Sequence, residues 1–179
     1  LLNYKNVLRS IHFITSEEGL NMSYKRITLS TSGISKMIRK LADDNVKVNL
    51  ALSLHAANEE LRKKIMPIGK SNTLEEIRDS LKYYFSKTKK KVTYEYVLLR
   101  DVNDSIEDAY QLYKYTKHLS SKVNIIEYNA VEGLEFKKSS FEKTEKFIGY
   151  LLKKGVNVSL RRSRGKDINA ACGQLANKN

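Results

Sequence analysis

The chain of 179 residues shows two kinds of hydrophobic pattern, which alternate from one end to the other. In the first kind, apolar residues recur every three or four positions, as they do on one face of a helix. This spacing predicts helices at residues 3–18, 34–41, about 58–65, 74–85, 105–119 and 139–155. The second kind is a short run of aliphatic and β-branched residues, which predicts strands at residues 26–32, 46–55, 92–99, 123–129 and 156–162. Such alternation is typical of an α/β fold with a parallel sheet.

Hydroxyl side chains mark the starts of two of these helices. Thr73 with Glu76, and Ser139 with Glu142, have the three-residue spacing of a capping box, in which the two side chains satisfy free backbone amides. No repeat, low-complexity tract or linker interrupts the pattern. We therefore predict a single domain over residues 1–179.

The predicted strands have one apolar face and one polar face. In residues 48–55 the even positions are Val or Leu, and the odd positions are Asn49, Ala51, Ser53 and His55. Successive side chains of a strand point to opposite faces, so these two sets separate. A doubly wound sheet would be apolar on both faces, because helices cover both. We therefore predict a partial (βα) barrel of parallel strands with helices outside and a polar inner face.

Polar side chains also gather where the predicted strands end. They include Ser30, Thr31, Ser32, Ser53, His55, Asn129, Arg161, Arg162 and Arg164. In a barrel of this kind the strand ends form one rim, where ligands bind. Hydroxyls, an imidazole, a carboxamide and guanidinium groups suit a ligand with ribose hydroxyls and a charged head. His55 has no second His, Asp or Glu at metal-ligand spacing, so we expect no metal site in this chain.

Composition adds a strong positive charge. Lys and Arg number 33 against 20 Asp and Glu, which gives a formal net charge of +13. A basic surface attracts polyanions, and the arginines after the last strand favour contact with nucleic acid. Lysines on solvated helix faces are the alternative explanation, and residues 87–91 fit it. No apolar run is long enough to span a membrane, and one cysteine fits a reducing cytoplasm, where we expect the protein to lie.

That cysteine, Cys172, follows the basic stretch. Cationic neighbours favour the thiolate form, and Asp167 is suited to cap a helix that would carry Cys172 in an early turn. A lone cysteine is more often a small buried hydrophobe than a reagent, and residue type alone leaves both readings open.

The run RRSRGKDINAACGQLA, residues 161–176, resembles the C-terminal signature of the RlmN/Cfr family. Members of this family are radical S-adenosylmethionine enzymes that methylate adenosine in 23S rRNA and, for RlmN, in tRNA. Other segments follow in family order, at residues 30–33, 53–56, 66–68, 95–99, 102–104 and 129. The resemblance covers essentially the whole chain.

The resemblance implies a role for particular residues. The residues similar to the family's S-adenosylmethionine contacts are Ser30, Ser53, Leu54, His55 and Asn129. Cys172 matches the cysteine that carries the methyl group, and its thiolate would accept that group from S-adenosylmethionine before passing it to carbon-2 of adenine. RNA contacts are expected from Arg161, Arg162, Arg164 and Lys166. The implied partners are 23S rRNA, tRNA and an electron donor for a 4Fe–4S cluster.

The chain departs from the family pattern in one respect that matters. The cluster requires three thiolates in a Cys-x-x-x-Cys-x-x-Cys loop, and this chain has one cysteine. We therefore expect it to be the C-terminal portion of a radical S-adenosylmethionine barrel, inactive by itself. A barrel without its first strands would have an unpaired sheet edge, so self-association through that edge is also expected.

Other functions remain open on sequence grounds. A non-catalytic RNA-binding module would keep the basic surface without the cofactors, and carbon-8 of adenine, the Cfr-type target, is not distinguished from carbon-2. A barrel enzyme for a phosphorylated substrate, or a Rossmann-type methyltransferase, would need a Gly-rich loop after a strand. The eight glycines of the chain form none.

Overall fold

A computed structural model describes residues 1–131 and 133–162 of the chain. Its helices are α1 Tyr4–Thr15, α2 Ser35–Asp43, α3 Glu59–Ile65, α4 Leu74–Thr88, α5 Ile106–Thr116 and α6 Phe141–Lys153. Its strands are β1 Thr28–Thr31, β2 Asn49–Ser53, β3 Val92–Leu98, β4 Ser121–Glu127 and β5 Val158–Arg161. Short 3-10 turns lie at Tyr24–Arg26 and Pro67–Lys70. Within these ranges no helix has both the length and the apolarity needed to cross a membrane.

The five strands form one parallel sheet in the order β1-β2-β3-β4-β5. Each strand pairs with the next one in the sequence, and at least one helix lies between them, so the chain winds in one direction through successive strand–helix units. The sheet is not closed, since β1 and β5 each pair with one strand among the described residues. The predicted partial barrel of parallel strands is confirmed.

The apolar face of the sheet forms the core beneath the helices. Leu50 and Leu52 of β2 and Leu54 directly after it are fully buried, and each such side chain contributes about 2–3 kcal/mol of hydrophobic stabilisation. Two tyrosines of β3 extend this layer toward the helices: Tyr94 packs edge-on against Tyr115 of α5, and Tyr96 packs against Phe147 of α6. The core thus lies on one side of the sheet, and the other face is left for a cavity.

Of the two predicted capping boxes, one is present in the structure and the other is not. Thr73 and Glu76 form the predicted capping box of α4. The predicted box at Ser139 is wrong, because α6 is capped one residue later, where the Ser140 hydroxyl accepts from the amide of Lys143. Ser139 instead donates its hydroxyl to Asp104 Oδ2 at 2.6 Å, a contact between residues far apart in sequence. The Ser139 hydroxyl therefore bonds to the buried carboxylate of Asp104 and does not cap the helix.

Strand β1 exposes one edge of the sheet, and self-association through it remains a prediction. Thr28 and Ser30 are exposed, and the outer backbone edge of β1 has no strand partner among the described residues. Unpaired edges favour pairing with another chain. We expect light scattering after size exclusion to give the mass of a dimer or larger species, and a monomeric mass would contradict the expectation.

Candidate functional site

The inner face of the sheet forms the floor of a cavity of about 680 Å³. This volume lies in the usual range for small-molecule sites, roughly 300–1,000 Å³. All five strands or the residues that directly follow them contribute to its lining. The prediction of a ligand site at the carboxyl ends of the strands therefore corresponds to a real concave surface.

Most of the predicted ligand contacts line this one cavity. Ser30, Ser53, His55 and Asn129 all do so, although they come from two strands and from the segments that follow β2 and β4. Arg161, predicted to contact RNA, also lines the cavity at the end of β5 and is exposed. The structure thus brings a guanidinium group to the same mouth as the hydroxyls, the imidazole and the carboxamide.

Other predicted residues lie elsewhere. The side chain of Leu54 is fully buried in the core on the helix side of the sheet, because it alternates with Ser53 and His55. Leu54 is not among the residues that line the cavity. Arg162 is exposed just beyond β5. Arg164, Lys166 and Cys172 lie outside the described residues.

His55 is held at the cavity wall in one protonation state. Its backbone is left-handed, with φ 57°, a region in which histidine is tolerated better than most side chains. The amide N–H of Val97 donates to His55 Nδ1 at 3.2 Å, so the neutral ring carries its proton on Nε2. Burial, and then the positive charge of Arg62, lowers the pKa of His55 to about 4. The ring is therefore neutral near pH 7 and available as a hydrogen-bond donor.

This low pKa predicts a loss of stability in acid. The folded pKa of about 4 lies below the ordinary value of 6.5, so the unfolded chain binds the proton more readily. The stabilisation from the neutral ring is complete above pH 6.5 and is lost as the pH falls toward 4, by about 3 kcal/mol. Between pH 7 and pH 4 the wild-type free energy of unfolding should fall by that much more than in a His55→Asn variant, which tolerates the same backbone. Urea denaturation at both pH values measures this, and equal losses in the two proteins would contradict it.

Asn103 fixes the backbone around His55. It is fully buried, and its amide nitrogen donates to the carbonyl oxygens of His55 and Val97, each at 2.8 Å. Its Oδ1 accepts from the amide of Leu99 at 2.7 Å. One side chain thus joins the end of β2, the end of β3 and the loop that follows, and so sets the wall of the cavity.

The opposite wall is apolar and comes from a loop that folds back over the sheet. Leu134 and Phe136 line the cavity, and Phe136 packs edge-on against Tyr128 with ring centroids 6.3 Å apart. The loop is fastened to the end of β3 by backbone bridging between Leu99 and Lys138. The cavity therefore pairs a mainly polar floor with an apolar wall, an arrangement that suits a nucleoside.

Sequence reasoning missed several residues of the site. Glu95 lines the cavity, and its place on the polar face of the third strand was a usable signal. Met66, Leu134 and Phe136 gave no such signal, because their contribution depends on how loops fold over the sheet. Asn103 lies in a loop, and only the structure shows what it joins.

A sequence profile of the radical SAM superfamily matches residues 2–113, more than half of the chain. The chain belongs to the radical SAM superfamily. Within this superfamily it is 55% identical over 99% of its length to the probable dual-specificity RNA methyltransferase RlmN of Flavobacterium psychrophilum, and 51% identical over 99% to the protein of the same description from Christiangramia forsetii. The predicted resemblance to the RlmN/Cfr family is confirmed.

Comparison with a solved structure leads to the same family assignment. The crystal structure of a radical SAM methyltransferase from Sphaerobacter thermophilus superimposes with a TM-score of 0.92 and 38% identity over 97% of the chain. The chain spans 51% of that protein and 51% of the two RlmN relatives. About half of each relative therefore has no counterpart in residues 1–179.

The cavity fits the cofactor of its superfamily, S-adenosylmethionine. Ser30 and Ser53 offer hydroxyls to a ribose, His55 offers an N–H, and Arg161 offers a cation to a carboxylate. The apolar wall suits an adenine ring. The iron–sulfur cluster of the superfamily does not fit this chain alone, because the single cysteine cannot supply three thiolates.

Proposed function

We propose that the chain is the C-terminal portion of a radical SAM enzyme that methylates carbon-2 of adenine in 23S rRNA and tRNA, with Cys172 as the methyl carrier. The observation that carries the proposal is the convergence of Ser30, Ser53, His55 and Asn129 on one cavity. The relatives described as probable dual-specificity RNA methyltransferases support RNA as the substrate class. A cytoplasmic location remains part of this prediction.

The described residues would bind and orient the cofactor. When bound, S-adenosylmethionine supplies the methyl group and, with the cluster held elsewhere in the enzyme, the radical chemistry. His55 keeps its proton on Nε2, so it can donate a hydrogen bond without taking part in proton transfer near pH 7. Leu134 and Phe136 line the cavity and would offer an apolar surface to the adenine ring.

Cys172 would provide the reacting sulfur from the tail of the chain. In the proposed step its thiolate forms a bond to the methyl carbon as the bond from that carbon to the cofactor sulfur breaks. The basic residues before it would hold the RNA backbone. An adenine reaches this site only when it is unstacked from its neighbours, since carbon-2 is shielded in a helix. Arg161 lines the cavity and is exposed, so its guanidinium would be available to a phosphate of that nucleotide.

The test uses the full-length protein that contains residues 1–179. We expect the reading frame upstream of Leu1 to encode a Cys-x-x-x-Cys-x-x-Cys loop. With S-adenosylmethionine and a reductant, the reconstituted protein should convert adenosine in 23S rRNA and tRNA to 2-methyladenosine. Mass spectrometry of digested nucleosides separates this product from 8-methyladenosine. Methylation at carbon-8, or none in an enzyme with an intact cluster, would overturn the proposal.

A further inference from the structure

Glu95 lies at the centre of a polar row that crosses the floor of the cavity. Its register partners are Ser53 on β2 and Asn124 on β4, and Asn124 is in turn the partner of Ser159 on β5. These side chains point to the inner face, opposite to the core. The row is therefore fixed by strand register, and four neighbouring strands hold it in place.

Hydrogen bonds along this row run in one direction. Ser159 Oγ donates to Asn124 Oδ1 at 2.8 Å, and Asn124 Nδ2 donates to Glu95 Oε1 at 2.9 Å. This leaves the Asn124 amide in one orientation and holds the Glu95 carboxylate in one rotamer. The chain of donors ends on Oε1 of Glu95.

The other carboxylate oxygen of Glu95, Oε2, is buried and has no hydrogen-bond partner within residues 1–131 and 133–162. None of the Lys, Arg or His side chains described there forms an ion pair with Glu95. A buried polar oxygen without a partner costs about 1–3 kcal/mol, and more when it is charged. Most buried polar groups in folded proteins have a partner, so an unpaired one needs an explanation such as a functional role or a bound water or ion. Glu95 also lines the cavity, so a ligand there can reach it.

We propose that Glu95 accepts hydrogen bonds from the ribose 2′- and 3′-hydroxyls of a nucleoside in this cavity and makes the site selective for a ribose over a deoxyribose. This rests on the proposed function, which places an adenosyl cofactor there. An ionised carboxylate is an acceptor only, so its partner must be a donor. A carboxylate at the ribose 2′-hydroxyl is a general solution in nucleotide sites.

The neighbours of Glu95 favour the ribose over the other donors of the ligand. Ser53, its register partner, and Ser30 on the adjacent strand provide hydroxyls that can donate to the ribose oxygens while Glu95 accepts from them. The groups suited to a charged head, Asn129 and Arg161, come after β4 and at the end of β5. Glu95 lies four residues before Leu99, in the middle of β3, and so deeper in the floor.

The test compares nucleosides and variants by calorimetric titration of the full-length protein that contains residues 1–179. Wild-type protein should bind S-adenosylmethionine, and should bind adenosine about tenfold or more tightly than 2′,3′-dideoxyadenosine. Glu95→Gln keeps the shape and the acceptor for Asn124 but replaces Oε2 by an amide. This variant should bind adenosine about tenfold more weakly than the wild type. Its preference for adenosine over 2′,3′-dideoxyadenosine should fall below about threefold. Glu95→Ala should do the same. Glu142→Gln, an exposed helical residue, loses the same charge and should change neither value.

Each outcome decides the proposal. Retained affinity and ribose preference in both Glu95 variants would overturn it and leave the proposed function intact. A loss confined to S-adenosylmethionine and absent for S-adenosylhomocysteine, which lacks the sulfonium charge, would overturn it in favour of contact with the sulfonium. Failure of the wild-type full-length protein to bind any of these ligands would overturn both. Circular dichroism of each variant confirms that the fold is retained.

Discussion

Replacement of Cys172 by alanine is expected to abolish RNA methylation by the full-length protein, with a loss of at least about 1,000-fold. The proposed reaction passes the methyl group through this sulfur, so no other side chain of residues 1–179 can replace the only thiol. The measurement is methylated adenosine by mass spectrometry under single-turnover conditions. The peptide that contains Cys172 should carry a methyl group in the wild-type enzyme after exposure to S-adenosylmethionine.

The same variant separates an enzyme from an RNA-binding module. Cys172→Ala should bind RNA with unchanged affinity, because the charge comes from Arg161, Arg162, Arg164 and Lys166. Cys172→Ser should also be inactive, since an alcohol is a far weaker nucleophile at neutral pH than a thiolate. Methylation at the wild-type rate in either variant would exclude the carrier role.

Asn103→Ala is expected to lower the free energy of unfolding by about 3–5 kcal/mol. The substitution leaves the carbonyls of His55 and Val97 and the amide of Leu99 without their partner in a fully buried place. Each unsatisfied group costs about 1–3 kcal/mol, and partial relaxation or entry of water limits the sum. Urea denaturation followed by circular dichroism gives the value.

Asn49→Ala is the matched control for this prediction. Asn49 also donates its side-chain amide to a backbone carbonyl, that of Lys25 at 2.9 Å, but the bond is exposed. Water can replace it, so the loss should be below about 1 kcal/mol. Similar losses in the free energy of unfolding for the two variants would show that the buried hydrogen bonds of Asn103 do not stabilise the fold as the geometry indicates. Because Asn103 holds the backbone of His55, its variant should also bind S-adenosylmethionine more weakly.

Several features were predictable because they follow from local pattern. The two-residue alternation of β2 separates Leu50, Leu52 and Leu54 from Ser53 and His55, and the structure places the two sets on opposite faces of the sheet. The polar inner face and the outer helices follow from this alternation. Helix starts at Asn58, Thr73 and Ser105 were also readable, because a capping side chain bonds within three residues.

Strand ends were less predictable. Strand β4 runs over Ser121–Glu127 rather than residues 123–129, so Tyr128 and Asn129 belong to the loop that carries the cavity wall. Strand β2 ends at Ser53, and His55 turns out of the sheet in a left-handed conformation. Both ends are set by contacts with β3 and its following loop, which the local pattern does not contain.

The sequence by itself determined the α/β class, the polar and apolar faces, the family and most of the residues that meet in the cavity. These depend on side-chain periodicity and on motifs a few residues long. Only the tertiary structure decided that the side chain of Leu54 turns away from the cavity, that Asn103 joins the ends of β2 and β3, and that Glu95 is held on the cavity floor. The physical reason is that a buried hydrogen bond between distant residues depends on strand register and loop path, and neither is encoded in any short stretch of the chain.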